Sequence, residues 1–197
     1  ERLPVDRLTA PLMRLRLVRL WAAWRRPGTP QRVSEVKLRG HPAYPVGALI
    51  SMGPVEHMIG LMKAAIELVE YSDFECPLCA QAYHAIGILL QQFKHRIRFV
   101  FRHFPLAEIH PHAELAAEAA EAAGAQGKFW PMYRHLFENQ QHLKAKDLRK
   151  YAADIGLDLE RYDSEISDHI YLQRVQEHLA SGRARGVHGS PAFFING

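Results

Sequence analysis

Residues 64–104 contain an apolar strand, a helix and a second strand in close succession, which restricts the fold more than any other feature. The segment 64–71 predicts a strand that is covered on both faces, and residues 76–96 predict a helix with one apolar stripe. Residues 97–104 predict a second strand, which Pro105 ends. Strands joined by such a helix pair in parallel with a right-handed crossover, so we expect a βαβ unit of an α/β fold.

The following region, about residues 106–186, has the periodicity of helices. The segments expected to be helical are 111–127, 128–140 and 144–156, and residues 158–186 are expected to supply one or two more helices. In the first of them, which is rich in alanine, Glu114, Glu118 and Glu121 are expected to share the solvent-facing side. The final segment, "SPAFFING", returns to strand character. The sequence therefore predicts an α/β domain with an all-helical insertion.

The basic character of the chain is confined to its front. Residues 1–51 contain a large excess of Lys and Arg over Asp and Glu, whereas residues 52–197 are mildly acidic. We expect residues 1–56 to be a basic segment that is disordered or not native to the protein. No basic face on the main body predicts a nucleic-acid partner, and no apolar run is long enough to predict a membrane span.

The only two cysteines, Cys76 and Cys79, are spaced C-x-x-C at the start of the first predicted helix. Unpaired amide groups and the helix dipole stabilise a thiolate there, so we expect the pKa of Cys76 to fall below that of free cysteine. Cys79 lies one turn further and can attack a disulfide formed at Cys76. Three interpretations stay open: a redox-active pair, a structural disulfide, or a zinc clamp completed by His110 and His112.

Three acidic residues surround this motif. Asp73 and Glu75 place negative charge close to Cys76 and are expected to raise the pKa of its thiol. Glu70 lies inside the apolar run of the first strand, where a carboxyl group is costly to bury. It is either a proton acceptor for Cys79 or a strand residue with access to water.

Several other groups are given structural interpretations. Phe129, Trp130 and Tyr133 are expected to form the core of the helical insertion. His110 and His112 flank a proline at the start of a helix, and local hydrogen bonds to the backbone are expected for both.

Five blocks of the sequence, in order, resemble the DsbA-like thiol–disulfide oxidoreductases. They are "LVEYSDFECPLC", "VFRHFPL", "HPHAELAAEAA", "GKFW" and "GVHGSPAFFING". The resemblance covers residues 57–197 and is strongest to the branch found as the thioredoxin-like domain of some sodium–proton antiporters. It implies a thioredoxin-like fold with a helical insertion at about residues 106–186, and a disulfide-exchanging enzyme.

The resemblance also assigns roles to residues. Cys76 corresponds to the nucleophile, Cys79 to the resolving thiol and Glu70 to the glutamate of the first strand. The sequence alone favours a trans bond before Pro191, because most X-Pro bonds in folded proteins are trans. The resemblance instead implies that Pro191 is cis and flanks the thiols, with Ser190 before it.

The resemblance implies substrates and partners as well. Ser190 and the dipeptide Pro77–Leu78 would contact a protein or peptide that carries a thiol or a disulfide. A redox partner protein or glutathione would restore the cysteines, and no metal or organic cofactor is required. The family is often periplasmic, and a cytoplasmic location is also open.

The chain departs from the family pattern at three places. Ser190 stands where this branch often has a Thr, which is a mild change. Leu78 stands where a Tyr or His is usual, which removes a polar neighbour of the thiolate and leaves the redox poise open. Family members continue past Gly197 with a strand and a helix, so we expect a truncated C-terminus and an exposed edge at residues 193–195. The alternatives to an enzyme are a redox-sensing domain without turnover and a zinc-binding module.

Overall fold

The computed structural model describes residues 57–93 and 95–197. The expectations for residues 1–56 fall outside this part of the chain. Within it, no helix combines the length and the hydropathy needed to cross a membrane.

One four-stranded sheet organises the domain, with the spatial order β1-β3-β2-β4. Its strands are β1 (His57–Ile59), β2 (Ile66–Ser72), β3 (Ile97–His103) and β4 (Ala192–Ile195). The two central strands, β2 and β3, are parallel, as predicted for a βαβ unit. Strands β1 and β4 pair antiparallel with β3 and β2 respectively. The sequence did not predict β1, because three residues are too few to show a strand periodicity.

The central strands are buried on both faces, which explains their nearly continuous apolar sequence. Leu68, Phe99 and Phe101 face the larger core, which the helices complete. Val69 and Val100 face a smaller apolar cluster on the other side of the sheet. Alternation along each strand therefore directs successive buried side chains of β2 and β3 to opposite cores.

Six helices complete the described fold. They are α1 (Pro77–Phe93), α2 (Ala113–Ala125), α3 (Phe129–Glu138), α4 (Ala145–Asp154), α5 (Leu159–Ser167) and α6 (Leu172–Ala184). Helix α1 connects β2 to β3, and the other five lie between β3 and β4 in the sequence, as expected for a helical insertion.

The alanine-rich helix α2 is the centre of the helical region, and α3, α4, α5 and α6 all pack against it. Alanine has a small side chain, so neighbouring helices can approach it from several sides. Glu118 and Glu121 are consequently buried, and the prediction that they share a solvent-facing side with Glu114 is wrong. The helical spacing of the glutamates is misleading because other helices cover the side of α2 on which Glu118 and Glu121 lie.

Helix α1 is far less buried than its apolar stripe predicts. Among its 17 residues only Cys79 and Ile86 are buried, while Ile88, Leu89 and Phe93 are exposed. Strand β4 is one edge of the sheet, and its Phe193 and Ile195 are also exposed, in keeping with the expected exposed edge. Apolar surface therefore remains uncovered in the described part of the chain.

Two helical glycines allow a test of the smaller core. A methyl group on Gly182 of α6 would lie 2.9 Å from ring atoms of Phe104 and Tyr71, whereas one on Gly87 of α1 would meet no atom within 4 Å. We expect Gly182→Ala to lower the free energy of unfolding by about 1–3 kcal/mol, because the rings must move. Denaturation in urea measures this change.

The matched control is Gly87→Ala, which places the same methyl group in open space on a helix. It should raise the free energy of unfolding by about 0.5–1 kcal/mol, since alanine is the better helix former. Equal effects of the two substitutions would contradict the close packing at Gly182.

Candidate active site

Cys76 lies at the amino end of α1. Its carbonyl accepts the first helical hydrogen bond, from the amide of Ala80 at 3.2 Å, and its own amide donates to the Asp73 carbonyl at 3.3 Å. Pro77 occupies the first helical position, where a missing N–H costs nothing. The thiol is thus placed where amide groups of the first turn have no partner within the helix.

The Cys76 thiol also meets the turn that leads into β4. Its Sγ lies 3.5 Å from the carbonyl oxygen of Ser190, to which it donates. The peptide bond between Ser190 and Pro191 is cis, the isomer that the resemblance implies. Since Ala192 pairs with Tyr71 across the β2–β4 ladder, the sheet itself brings this turn to the thiol.

Cys79 is completely buried behind Cys76, and its Sγ accepts the amide of Asp73 at 3.4 Å. Burial raises the pKa of the Cys79 thiol to about 12; the nearby hydroxyls of Ser72 and Ser190 oppose this rise in part, and the charge of Cys76 adds to it. Both cysteines are free thiols. The Cys79 thiol therefore stays protonated at neutral pH.

Glu70 is fully buried, on the face of β2 that points to the larger core. Neither carboxyl oxygen has a hydrogen-bond partner among the described residues. Burial raises the pKa of Glu70 to about 7, and the Ser72 hydroxyl offsets a part of this effect. The interpretation of Glu70 as a strand residue with access to water is therefore wrong.

Glu67 differs from Glu70 because it lies on the other face of β2. It is partly exposed and forms an ion pair with Arg98 of β3. An odd spacing along a strand separates the two carboxyl groups, as the pleat requires.

Tyr133 of α3 joins the larger core to the thiol site. Its ring is buried among other aromatic rings, including those of Phe74 and Phe137, as expected for the core of the insertion. Burial raises the pKa of Tyr133 well above its usual value, and the charges of Glu70, Tyr83 and Cys79 add to this rise. The same phenol therefore lies within electrostatic range of Glu70 and of Cys79.

Asp73 ties the loop before the cysteines to the loop after β3. Its Oδ1 accepts the amide of Glu75 at 2.8 Å, and its Oδ2 accepts the amide of Leu106 at 2.8 Å. His110 Nδ1 is a further partner of Oδ2 at 2.8 Å. The buried carboxylate is thus engaged by two loops, which fixes the backbone leading into Cys76.

Glu75 makes a second connection of the same kind. It accepts the amide of His112 at 2.7 Å and pairs with Nδ1 of the same histidine at 2.8 Å. The prediction that His110 and His112 bond locally to the backbone is wrong, because both rings pair with these carboxylates. In the described ranges, no group of three or more ligating side chains contains a cysteine, so the zinc clamp finds no support.

Gln140, just after α3, supports the active-site loop from the helical insertion. Its side-chain amide donates to the carbonyl of Phe74 at 2.8 Å and to that of Cys76 at 2.9 Å. The sequence offers no signal for this role, because a glutamine beyond the end of a helix is ordinary. Pro77 and Leu78, by contrast, are exposed beside the buried cysteines, with 59% of Leu78 accessible.

Comparison with known families decides the classification of this fold. A family model described as thioredoxin matches residues 53–197. The chain belongs to this thioredoxin family.

Curated relatives of this thioredoxin-family chain are much longer proteins. It is 43% identical over 155 residues to the Na(+)/H(+) antiporter NhaA 1 of Salinispora arenicola, covering 77% of this chain and 24% of that protein. It is 41% identical over 143 residues to the antiporter NhaA of Herminiimonas arsenicoxydans, covering 73% and 22%. The chain thus spans about a quarter of the length of these relatives.

Solved structures share the fold at low identity. A thioredoxin-like oxidoreductase from Silicibacter pomeroyi aligns with a TM-score of 0.65 and 24% identity, over 73% of this chain and 82% of that one. BdbD from Bacillus subtilis aligns with a TM-score of 0.66 and 19% identity, over 72% and 81%. Together with the antiporter relatives, these similarities confirm the resemblance to the DsbA-like branch.

A second polar cluster lies in the core of this thioredoxin-family domain, and the sequence analysis missed it. Glu121 Oε1 of α2 lies 2.7 Å from His57 Nε2 and 2.9 Å from His103 Nε2. All three side chains are buried, and Glu121 Oε2 lies 3.2 Å from Arg174 Nε. The positions are too far apart in the sequence to form a motif.

The charges within this cluster follow from its contacts. Burial alone would raise the pKa of Glu121, but hydrogen bonds from His103 and His57 outweigh it and hold the pKa well below its usual range. Burial lowers the pKa of His103, and it lowers that of the neighbouring His178 to about 3. Glu121 is therefore ionised, while His103 and His178 are neutral at neutral pH.

Gln140→Glu tests the support of the active-site loop. A carboxylate cannot donate to the carbonyls of Phe74 and Cys76 and would repel both. We expect the free energy of unfolding to fall by about 1–3 kcal/mol, measured by urea denaturation. The control Gln141→Glu places the same change on an exposed neighbour and should stay within about 0.5 kcal/mol. Similar decreases in the free energy of unfolding for both variants would show that Gln140 does not support the active-site loop.

Proposed function

We propose that this domain is a thiol–disulfide oxidoreductase that exchanges disulfides with proteins or peptides through Cys76 and Cys79. One observation carries the proposal. The Cys76 thiol lies at the amino end of α1 against the Ser190 carbonyl, with Cys79 buried one turn behind it. Such a pair can form a disulfide and release it without a metal or an organic cofactor.

The exchange moves two electrons between sulfur atoms. In the oxidising direction, a substrate thiolate attacks Sγ of Cys76 in the Cys76–Cys79 disulfide, and Cys79 leaves with the electron pair of the broken bond. A second substrate thiolate then attacks the substrate sulfur of the mixed disulfide, and Cys76 leaves as a thiolate. The substrate gains a disulfide and the protein a dithiol; the reverse sequence reduces a substrate.

Access makes the two cysteines unequal in this scheme. The exposed fraction of Cys76 is 5%, and this residue lies beside the exposed Leu78, whereas Cys79 has no exposed surface. A substrate sulfur therefore meets Cys76, and Cys79 acts only from inside the protein. The redox partner, a protein or glutathione, would reach the pair by the same route.

Glu70 is proposed as the group that accepts the proton of the Cys79 thiol and returns it. A thiol with a pKa near 12 must lose its proton before it can attack a mixed disulfide. The Ser72 hydroxyl lowers the pKa of both the Cys79 thiol and the Glu70 carboxyl, so both groups lie near the same hydroxyl. A carboxyl group with a pKa of about 7 can accept that proton and return it near neutral pH.

Substrate contacts are proposed at the turn before β4. The Ser190 carbonyl already accepts a hydrogen bond at the site, and Pro191 continues directly into the edge strand β4. An extended peptide can pair with backbone here, and the exposed Leu78 can contact its side chains. Recognition of this kind depends little on the substrate sequence.

A second candidate is a redox-sensing domain that regulates a transporter without turnover. The relatives named as Na(+)/H(+) antiporters favour it, because they contain this domain within a longer protein. In that case oxidation of Cys76 and Cys79 would change the attached protein rather than a separate substrate. We propose an extracytoplasmic compartment on the family resemblance alone, with a cytoplasmic location as the alternative.

Turnover distinguishes the two candidates. We expect the chain to catalyse either the oxidation of a reduced unfolded protein or the reduction of insulin by a thiol. Cys76→Ser should abolish this activity, and Cys79→Ser should accumulate a mixed disulfide with the substrate, seen by mass spectrometry. Loss of both activities in the parent, with reversible formation of the Cys76–Cys79 disulfide, would favour the sensor instead.

The ionisation of Glu70 predicts a specific dependence of stability on pH. The pKa of Glu70 is higher in the folded state than in the unfolded state. The charged carboxylate therefore destabilises the fold, and this cost is complete above about pH 7. Glu70→Gln removes this cost, so the variant should exceed the parent by about 3 kcal/mol in free energy of unfolding at pH 8. The difference should shrink as the pH falls through 7 and vanish below about pH 4, by urea denaturation under reducing conditions.

Glu67→Gln is the control for this experiment. It makes the same chemical change on the same strand, but on the partly exposed face where Arg98 is the partner. It should give no gain in stability at pH 8. If the difference in free energy of unfolding between Glu70→Gln and the parent is the same at pH 8 and at pH 4, Glu70 is not a buried ionisable group.

A further inference from the structure

The buried side chains of His57, His103 and Glu121 bring three metal-binding atoms together, away from the thiol motif. Each side chain offers one ligating atom, and these atoms lie within 4.8 Å of one another. This is the only group of three or more such side chains that the described residues contain. Two imidazole nitrogens and one carboxylate oxygen form a ligand set that Zn²⁺ and other first-row ions accept.

Packing holds the two imidazole rings in place. The ring of His57 stacks on Phe129 with centroids 3.4 Å apart and planes 6° apart. The ring of His103 stacks on His178 at 5.5 Å and meets Phe101 edge-on at 5.3 Å. The packing therefore already orients both rings with their Nε2 atoms towards the same carboxylate oxygen.

The carboxylate is oriented from its other side. Arg174 Nε lies 3.2 Å from Glu121 Oε2, which leaves Oε1 to face the two histidines. In metal sites, ligating carboxylates are commonly oriented by a second group on their other oxygen. The cluster therefore has both the ligands and the support that metal sites need.

The sheet explains why these residues meet. His57 is directly opposite Phe101 in the β1–β3 ladder, so its side chain shares a face with Phe101 and with His103 two residues later. Helix α2 packs in the same core and brings Glu121 to that face. Two strands and one helix thus each contribute one ligand.

A cavity of about 260 Å³ opens beside the cluster. It is lined by His57, Glu121, Gly124, Phe129, Trp130 and Arg174, among others. A buried set of three ligands with an adjacent cavity leaves space for an ion to enter and for a water molecule at a fourth coordination position.

We propose that His57, His103 and Glu121 form a binding site for one divalent first-row transition-metal ion, of which Zn²⁺ fits the ligands best. Tetrahedral Zn²⁺ with bonds of about 2.0–2.1 Å needs ligand atoms roughly 3.3 Å apart. The observed separations of 2.7 Å and 2.9 Å are those of hydrogen bonds and must widen by about 0.5 Å when an ion replaces the bridging protons. This site is independent of thiol exchange at Cys76.

The test uses the full chain with both cysteines replaced, Cys76→Ser and Cys79→Ser, so that no thiol can hold the metal. After treatment with a chelator, the protein is titrated with Zn²⁺ and, separately, with Co²⁺. We expect one equivalent of Zn²⁺ to be retained after gel filtration. Bound Co²⁺ should show visible d–d absorption without a sulfur-to-metal charge-transfer band.

Glu121→Gln and Glu118→Gln in the same background form a matched pair. Both glutamates are buried in α2 and both pair with histidine, but Glu118 meets only His169. Glu121→Gln should weaken Zn²⁺ binding by more than about tenfold, and Glu118→Gln should leave it unchanged. Absence of Zn²⁺ binding in the cysteine-free chain, or equal binding by the two variants, would overturn the proposal.

A further variant covers the case in which Glu121→Gln fails to fold, as judged by circular dichroism. His57→Gln removes a ligand at the rim of the cavity, where the side chain retains 7% exposure. It should also weaken Zn²⁺ binding by more than about tenfold and abolish the rise in melting temperature that Zn²⁺ causes in the cysteine-free chain. Unaltered binding by a folded His57→Gln variant would likewise overturn the proposal.

Discussion

The parallel pairing of β2 with β3 is the constraint on which the site depends. Parallel strands end at the same edge of a sheet, so the loop before Cys76 and the loop after β3 leave the sheet side by side. The amide of Phe104 donates to the Ser72 carbonyl at 2.7 Å, and Asp73 then binds both loops through one carboxylate. Strand β4, antiparallel to β2, brings the turn at Ser190 to that edge as well.

Two buried carboxylates in one core show how the surroundings set the charge. Glu70 has no hydrogen-bond partner in the described part of the chain, so desolvation dominates and its pKa rises to about 7. Glu121 is equally buried, but two histidines and an arginine surround it, so it stays ionised. The first group is suited to exchanging a proton near neutral pH and the second to holding a positive charge.

The alanine-rich helix α2 makes this arrangement possible. Seven buried alanines let four other helices pack around it, so any long polar side chain on α2 is enclosed and must find a partner. Glu118 pairs with His169, and Glu121 pairs with His57 and His103. The helix is thus both the centre of the insertion and the source of its buried charge.

The sequence by itself determined the βαβ unit, the helical insertion and the position of Cys76 and Cys79 at a helix start, because periodicity and helix-start signals act over a few residues. It also marked Glu70 as unusual, since a charge inside an apolar strand stands out. Only the tertiary structure decided which faces are buried, that Gln140 supports Cys76, and that His57, His103 and Glu121 meet. Those contacts join residues 18 to 64 positions apart, and the packing that brings them together leaves no trace in a local pattern.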